Sequence, residues 1–482
     1  MNRSILNPAI LKPQILKPAL VLPLLAALLS GCLTLEPTYR RPAAPAPSAW
    51  PSGEPYRATE DGKAADLPWR DFYTDEKLKA VIALALANNR DLRVSILNIE
   101  ESRAQFQVQR SNLLPAVTAS GNGESERTPK GLSQFPGGKR DYRLYSADVG
   151  VSAYELDLWG RVRSLTREAF ETLLASKEAR RSAEISLISE TAADYLTLAA
   201  DRQRLKVAED TLKADDETLK ITQARFKDGV ASELDVRQAE TARDQARSDS
   251  LADAVQAAQD LNALNLVVGA SVSEELLPSG LDAALPTLPD VPAGLSSSVL
   301  LDRPDVLQAE HQLRAYNADI GAARAAFFPT ISLTGSVGSE SLYLDRLFTP
   351  GSGTWAFAPN ISLPIFAGGR NVANLKLAKA QRDTAVAQYE LAIQTAFRET
   401  ADALAQRGAA VRQIEAQEAL LEAATASFNL SKARYERGVD TYLTLLDAQR
   451  TLYSAQQTLI AARFTRASNL ITLYRVLGGG VK

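Results

Sequence analysis

Among 482 residues the chain has one histidine and one cysteine, and neither belongs to a constellation that does chemistry. His311 follows Glu310 in a helical run with no nucleophile or second base at a catalytic spacing, so it reads as a helix surface residue. Aspartates and glutamates are plentiful, but they are scattered along long periodic segments and read as outward faces. Gly478-Gly479-Gly480 ends a helical pattern instead of leading into one, so it cradles no phosphate. Cys32 has no second cysteine for a disulfide and no Cys metal site to join. The chain is not expected to be an enzyme or to hold a metal or cofactor.

The one thiol has another setting. Arg3, Lys12 and Lys17 precede the apolar run Ala19 to Leu29, and Leu29-Ser30-Gly31-Cys32 follows. This is a secretory signal, because its apolar core is shorter than the ~20 residues of a spanning helix. The box resembles a bacterial lipobox, which implies that Cys32 is acylated and becomes the mature N-terminus. Cleavage there removes three positive charges, so the net charge falls from −3 to −6 and no basic arm remains for nucleic acid. Glu36 to Pro55 holds six prolines and reads as an extended tether that stands the body off from its anchor.

The elements behind these residues occur twice. Arg110, Leu113, Leu114, Pro115, Val117 and Gly121 return as Arg324, Phe327, Phe328, Pro329, Ile331 and Gly335 at an offset of 214. Ala224, Arg225, Phe226, Gly229, Val230 and Leu234 return as Ala433, Arg434, Tyr435, Gly438, Val439 and Leu443 at an offset of 209. Such a duplication predicts two pseudo-equivalent halves side by side.

Each half opens with helical periodicity; in the first, Asn88-Asn89 divides two short helices between 75 and 112. Each then changes to period two. Tyr145, Ala147, Val149, Val151 and Ala153 alternate with Ser146, Asp148, Gly150 and Ser152, and Trp355, Phe357 and Ile361 lie opposite Asn360 and Ser362. The pattern predicts four strands of ~10 residues, long enough to cross a bilayer when tilted. Proline-free helical stretches follow from 161 to about 227 and from 371 to about 437; ~65 residues at ~1.5 Å rise would reach ~100 Å. Near the end, Leu445, Leu452, Leu459 and Leu473, with Leu446, Tyr453, Ile460, Ala467 and Tyr474, form two rows at multiples of seven.

Four strands in lipid would leave two edges of unpaired backbone groups, each costing several kcal/mol, so the sheet must borrow strands from identical chains. Two, three or four copies all give even-stranded barrels. The polar strand face would line a wet lumen.

Several strings resemble outer-membrane efflux lipoproteins related to OprM, within the TolC-like outer-membrane factor family. They are Glu36-Pro37-Thr38-Tyr39-Arg40-Arg41-Pro42, Asn88-Asn89-Arg90-Asp91-Leu92-Arg93, Leu156-Asp157-Leu158-Trp159-Gly160-Arg161-Val162, Arg303-Pro304-Asp305-Val306 and Gly321 to Pro329, in order along nearly the whole mature chain. The resemblance implies a mixed α and β fold: four strands given to a trimeric 12-stranded transmembrane β-barrel, continued by a long periplasmic α-helical barrel with an internal twofold repeat. It also implies a homotrimer, a periplasmic adaptor, an inner-membrane pump of the resistance-nodulation-division type and outer-membrane lipid as partners, with no nucleic acid.

On that pattern the chain divides into a signal peptide (1–31), a lipidated tether (32–70), first-half short helices (71–114) and a first transmembrane hairpin (115–160). A first periplasmic helical hairpin (161–270), a connector (271–299) and a second-half helix (300–328) follow. The second transmembrane hairpin (329–370) and second periplasmic hairpin with the C-terminus (371–482) complete it. The tip residues Arg225, Gly229, Val230, Arg434, Tyr435, Gly438 and Val439 match the family's adaptor-contact motifs. Leu443 and Asp447 match its periplasmic gate, and their spacing of four places both on one helix face. Leu234 and Gln238 stand at the equivalent first-half positions, so any ring of charge comes from the second hairpin alone. Two rivals remain open on the residues: a periplasmic lipoprotein scaffold or adaptor without a pore, and a secretion channel for larger cargo.

Overall fold

The computed structural model describes residues 34–56, 68–127, 129, 141–281 and 297–479. The signal segment, Cys32, most of the first strand–strand loop and the connector from 282 to 296 lie outside the described residues. The chain is mostly helical with one small antiparallel sheet, and it divides into two compact units. Among the described residues, one contains those in 34–39, 105–170 and 314–382; the other contains those in 40–104, 171–313 and 383–479.

The first unit holds the sheet. Strands β1 (Val117–Arg127), β2 (Asp141–Glu155), β3 (Thr330–Ser341) and β4 (Gly353–Ser362) lie in that order, every neighbour antiparallel. Strand parity sorts the side chains into two faces. Val117, Val151, Gly335 and Phe357 form one cross-strand row, and Ala119, Val149, Val337 and Trp355 the next. The opposite face carries Thr118, Gly150, Ser336 and Ala356, then Ser120, Asp148, Gly338 and Thr354. The apolar face is bare: Trp355 is 78% exposed and Ile361 69%. No described helix is long and apolar enough to cross a membrane.

Two glycines shape the polar face. A Cβ on Gly150 would stand 2.6 Å from the Gly335 carbonyl oxygen, and one on Gly338 would stand 2.6 Å from Asp148 Cα. The polar sides of β2 and β3 therefore approach more closely than side chains allow, as at a tight bend of a curved sheet.

One strand expectation is corrected. Ala153 does not continue the apolar alternation, because the β2–β3 register slips between Val151 and Tyr154. Ala153 takes a left-handed φ of 52° and its N–H donates to Thr334 Oγ1 at 3.1 Å, the signature of a bulge. Tyr154, opposite Leu333, takes over the apolar row, and its hydroxyl donates to the Leu113 carbonyl at 3.0 Å.

The helices are α1 (Trp69–Phe72), α2 (Glu76–Asn88), α3 (Arg90–Ser111), α4 (Arg161–Lys227), α5 (Glu233–Val268), α6 (Pro304–Ala325), α7 (Arg370–Glu436) and α8 (Tyr442–Val476). Asn89 separates α2 from α3 by adopting extended dihedrals while its side-chain oxygen accepts from the Leu92 N–H at 2.8 Å, an N-cap bond. Asp157 starts α4, its carboxylate accepting from the Val162 and Arg163 N–H groups at 3.0 and 2.9 Å. With no proline inside them, α4 and α7 each run unbroken for 67 residues.

In the second unit, α1 and α2 pack on α4, α5 and α8, burying Leu78, Ile82, Tyr195, Leu264 and Val268. Phe72 stacks on Tyr474 at 4.0 Å. Helix α8 buries Leu445, Leu459 and Leu473 from one heptad row and Leu446, Ile460, Ala467 and Tyr474 from the other. A third row, Ala448, Ala455, Ala462, Asn469 and Val476, is buried as well. Three buried positions in seven let α8 meet neighbours on two sides.

The segment from Leu35 to Tyr56 is not a free tether. It has no helix or strand apart from one 3-10 turn, Glu54–Tyr56, yet it is pinned to the body. In the first unit Arg324 donates to the Leu35 carbonyl at 3.0 Å, Asn317 to the Pro37 carbonyl at 2.8 Å, and Arg314 lies 5.0 Å over the Tyr39 ring. In the second, Arg41 pairs with the buried Glu310, Trp50 stacks on Phe397 at 5.0 Å, and Glu54 meets Arg412 at 2.8 Å. Gly321 makes room for it, since a Cβ there would stand 2.6 Å from Glu36 Cγ and 2.5 Å from Ser164 Oγ. Proline removes backbone donors, so this strap is held mainly by donors from the body.

Candidate functional site

The α4–α5 and α7–α8 reversals are built alike. Gly229 and Gly438 take left-handed φ of 73° and 75°. Val230 N–H donates to the Arg225 carbonyl at 2.8 Å and Gly229 N–H to Phe226 at 3.0 Å; Val439 and Gly438 repeat both bonds to Arg434 and Tyr435 at 2.9 Å. These are paired Schellman caps, which need a residue without Cβ at the left-handed position.

The two turns start their second helices differently. Ser232 forms a full capping box with Asp235, whereas Thr441 makes no side-chain cap bond. Arg434 instead grips Asp440, Nε to Oδ2 at 2.6 Å, which pulls the Asp440 carboxyl below its usual value.

The sequence-derived tip residues separate into two groups. Gly229, Val230, Arg434, Gly438 and Val439 are exposed, with Val230 at 68%. Tyr435 is buried, so the expectation that it faces a partner is corrected: its hydroxyl lies 2.9 Å from Thr222 Oγ1 and its ring 5.8 Å from that of Tyr442. Arg225 is half-buried; Nη1 donates to the Tyr435 carbonyl at 2.6 Å and its guanidinium lies 4.6 Å over the Tyr435 ring. Both residues fasten one hairpin to the other, around a cluster with Leu219, Val236, Leu445 and Leu446.

Leu443 and Asp447 are exposed on α8, on the side away from the buried Leu445, Leu446 and Gln449. Behind them lies a group that the periodicity does not announce. Gln449 Nε2 donates to Asp215 Oδ1, both side chains buried, and burial raises the Asp215 carboxyl to about 6 against the lowering effects of Gln449 and Arg450. They line a cavity of about 150 Å3 between α4, α5 and α8 with Asp249, Arg450 and Tyr453. The one available signal is spacing: Gln449 lies seven residues beyond Tyr442 on the same buried stripe. His311 is likewise no plain surface residue, since Nδ1 sits 2.7 Å from the buried Glu171 carboxylate.

A family model described as outer membrane efflux protein matches residues 81–270 and 295–479. The chain is 47% identical over 458 residues to the antibiotic efflux pump outer membrane protein ArpC of Pseudomonas putida, covering 94% of each chain. The toluene efflux pump outer membrane protein TtgC of Pseudomonas putida matches at the same identity and coverage. The open-state crystal structure of the Neisseria gonorrhoeae MtrE outer membrane channel superposes with a TM-score of 0.84 at 38% identity, over 93% of this chain and 99% of that one. With a mostly helical body, one small antiparallel sheet and a match across both halves, the chain belongs to the outer membrane efflux protein family, whose members are channels and not enzymes.

Proposed function

We propose that three copies of this chain close their sheets into one 12-stranded outer-membrane β-barrel, continued in the periplasm by an α-helical barrel made of two repeated hairpins per chain. The tube is the exit duct of a tripartite efflux system, taking antibiotics, aromatic solvents or similar small solutes from a periplasmic adaptor and an inner-membrane pump of the resistance-nodulation-division type. Residues 115–160 and 329–370 supply the membrane hairpins, 161–270 and 371–482 the periplasmic ones, and acylated Cys32 anchors the strap in outer-membrane lipid.

The observation that carries this reading is the four-stranded sheet itself. One face is apolar and bare, the other is polar and drawn together at Gly150 and Gly338, and the outer edges of β1 and β4 have no strand beside them among the described residues. In hydrocarbon those edges must pair, and copies of the same chain supply the partners. Exposed Val230 and Val439 with Arg434 are the adaptor-facing tip groups, and Leu443 with Asp447 form the gate. Three carboxylates near one axis attract cations, and three leucines narrow the bore.

Purified protein in planar bilayers tests the reading. Native mass should correspond to three subunits, and replacing Leu443 and Asp447 by alanine should raise single-channel conductance. A monomer that conducts nothing overturns the channel, and unchanged conductance in a conducting trimer overturns the gate.

A further inference from the structure

We infer that the loop end of the sheet carries a saccharide-binding site for the sugar headgroup of a membrane glycolipid. The inference rests on the membrane reading above. Along β2, Val151, Val149 and Ala147 share one face with Tyr145, Arg143 and Asp141, so the apolar column turns aromatic and then charged toward the loop end. Opposite them, beyond the end of β3, stand Leu342, Tyr343, Leu344 and Asp345. Asp141, Tyr142, Arg143 and Tyr145 with Leu342 to Asp345 line an open groove of about 850 Å3, within the size range of small-molecule sites.

Tyr145 lies across from Gly123, where a Cβ would stand 3.3 Å from its ring, so the aromatic packs closely over the β1 backbone. The Arg346 guanidinium lies 5.4 Å from the Tyr343 ring centre. Asp141 is paired with Arg127 at 3.0 Å, while Arg143 and Asp345 form no ion pair among the described residues.

The lining selects the ligand class. A plain acyl chain would leave Arg143 and Asp345 unmatched. A sugar offers a C–H face to tyrosine rings and hydroxyls that both donate to carboxylates and accept from a guanidinium. The site belongs to the two central strands and the β3–β4 turn, away from the β1 and β4 edges that copies of the chain would cover. It is continuous with the apolar row Val149, Val337 and Trp355, where the lipid's chains would lie.

Bacterial lipopolysaccharide is the probe, titrated into the full-length trimer in detergent and followed by native mass. The wild type should retain it; Tyr145→Ala with Tyr343→Ala, and separately Arg143→Ala with Asp345→Asn, should each weaken binding at least tenfold. The deacylated saccharide should compete weakly and phosphatidylethanolamine vesicles not at all. Equal binding by wild type and both variants overturns the site, as does competition by phosphatidylethanolamine. Equal affinity for the deacylated saccharide overturns the lipid assignment. Single-channel conductance separates the two readings: a conducting channel with unchanged lipopolysaccharide affinity defeats the site alone, and a wild type that never conducts defeats the membrane reading beneath it.

Discussion

Asp215→Asn should stabilise the packing of α4 on α8 above neutral pH and do nothing in acid. Asp215 is 4% exposed, its partner Gln449 8%, and burial lifts the carboxyl from the ordinary 3.8 to about 6. A folded value above the unfolded one means that the fold favours the protonated form. The stabilisation is complete below pH ~4 and is lost as pH rises through ~6. Above that, holding the ionised carboxylate in place costs at most about 3 kcal/mol, at roughly 1.4 kcal/mol per pH unit of displacement. Asparagine keeps an oxygen to accept from Gln449 Nε2, has nearly the same shape and never ionises. Amide hydrogen exchange at α4 residues 211–219 and α8 residues 445–453, wild type against variant at matched pH, reads this locally. At pH 8 the variant should be protected at least tenfold more; at pH 4 the two should agree within a factor of about two, as an energy difference below ~0.5 kcal/mol requires. Equal ratios at both pH values, or weaker protection of the variant at pH 8, would refute the claim that burial of this charge is what the fold resists.

Gly338→Ala should part β2 from β3, because the new Cβ meets the Ala147 carbonyl and Asp148 Cα, both backbone; a loss of about 2–4 kcal/mol should show as a lower midpoint of thermal unfolding of the sheet, and an unchanged midpoint would show that the strands can separate without cost. Tyr435→Phe should cost about 1–2 kcal/mol by removing the buried bond to Thr222, with increased exchange in both tips, and no change in exchange would show the hydroxyl to be idle. Gly321→Val should lift the strap at Glu36 and speed tryptic cleavage after Arg40 at least tenfold, about 1.4 kcal/mol of lost docking, and an unchanged rate would place the crossing elsewhere.

Period two is an overt signal because strand side chains must alternate, and both hairpins were legible from Val149–Val151 and Trp355–Phe357 for that reason. The slip at Ala153 was not, since a left-handed alanine is imposed by a tertiary contact, here Thr334, and leaves no mark in composition. The docking of the strap is hidden for a related reason. Six prolines and many alanines describe a segment without internal hydrogen bonds, but the donors that hold it, Arg324, Asn317 and Ser297, lie about 250 or more residues away. At the tips the glycines were legible from local backbone demands, whereas the burial of Tyr435 depends on Thr222 in the other hairpin. Asp215 and Gln449 failed to stand out because a polar residue on a buried stripe looks like an outward one until its partner is known.

The two hairpins are alike in their glycine caps and unlike in how the following helix begins, and the difference falls beside Leu443 and Asp447, the residues of the proposed gate. Helix α5 starts with the Ser232–Asp235 box, in which two otherwise unsatisfied donors are met reciprocally. Helix α8 starts at Thr441 with no side-chain cap bond, and a missing cap is worth about 1 kcal/mol. Its compensation lies outside the helix, in the exposed Arg434–Asp440 pair, which salt screens. The first turn of α8 carries Leu443, and Asp447 follows one turn later. The half with Asp447, the acidic residue of the proposed gate, thus has the weaker helix start, while the half with Gln238 in its place has the stronger one. Fraying the first turn of α8 therefore costs less than fraying the first turn of α5, and ionic strength acts on that cost through Arg434 and Asp440.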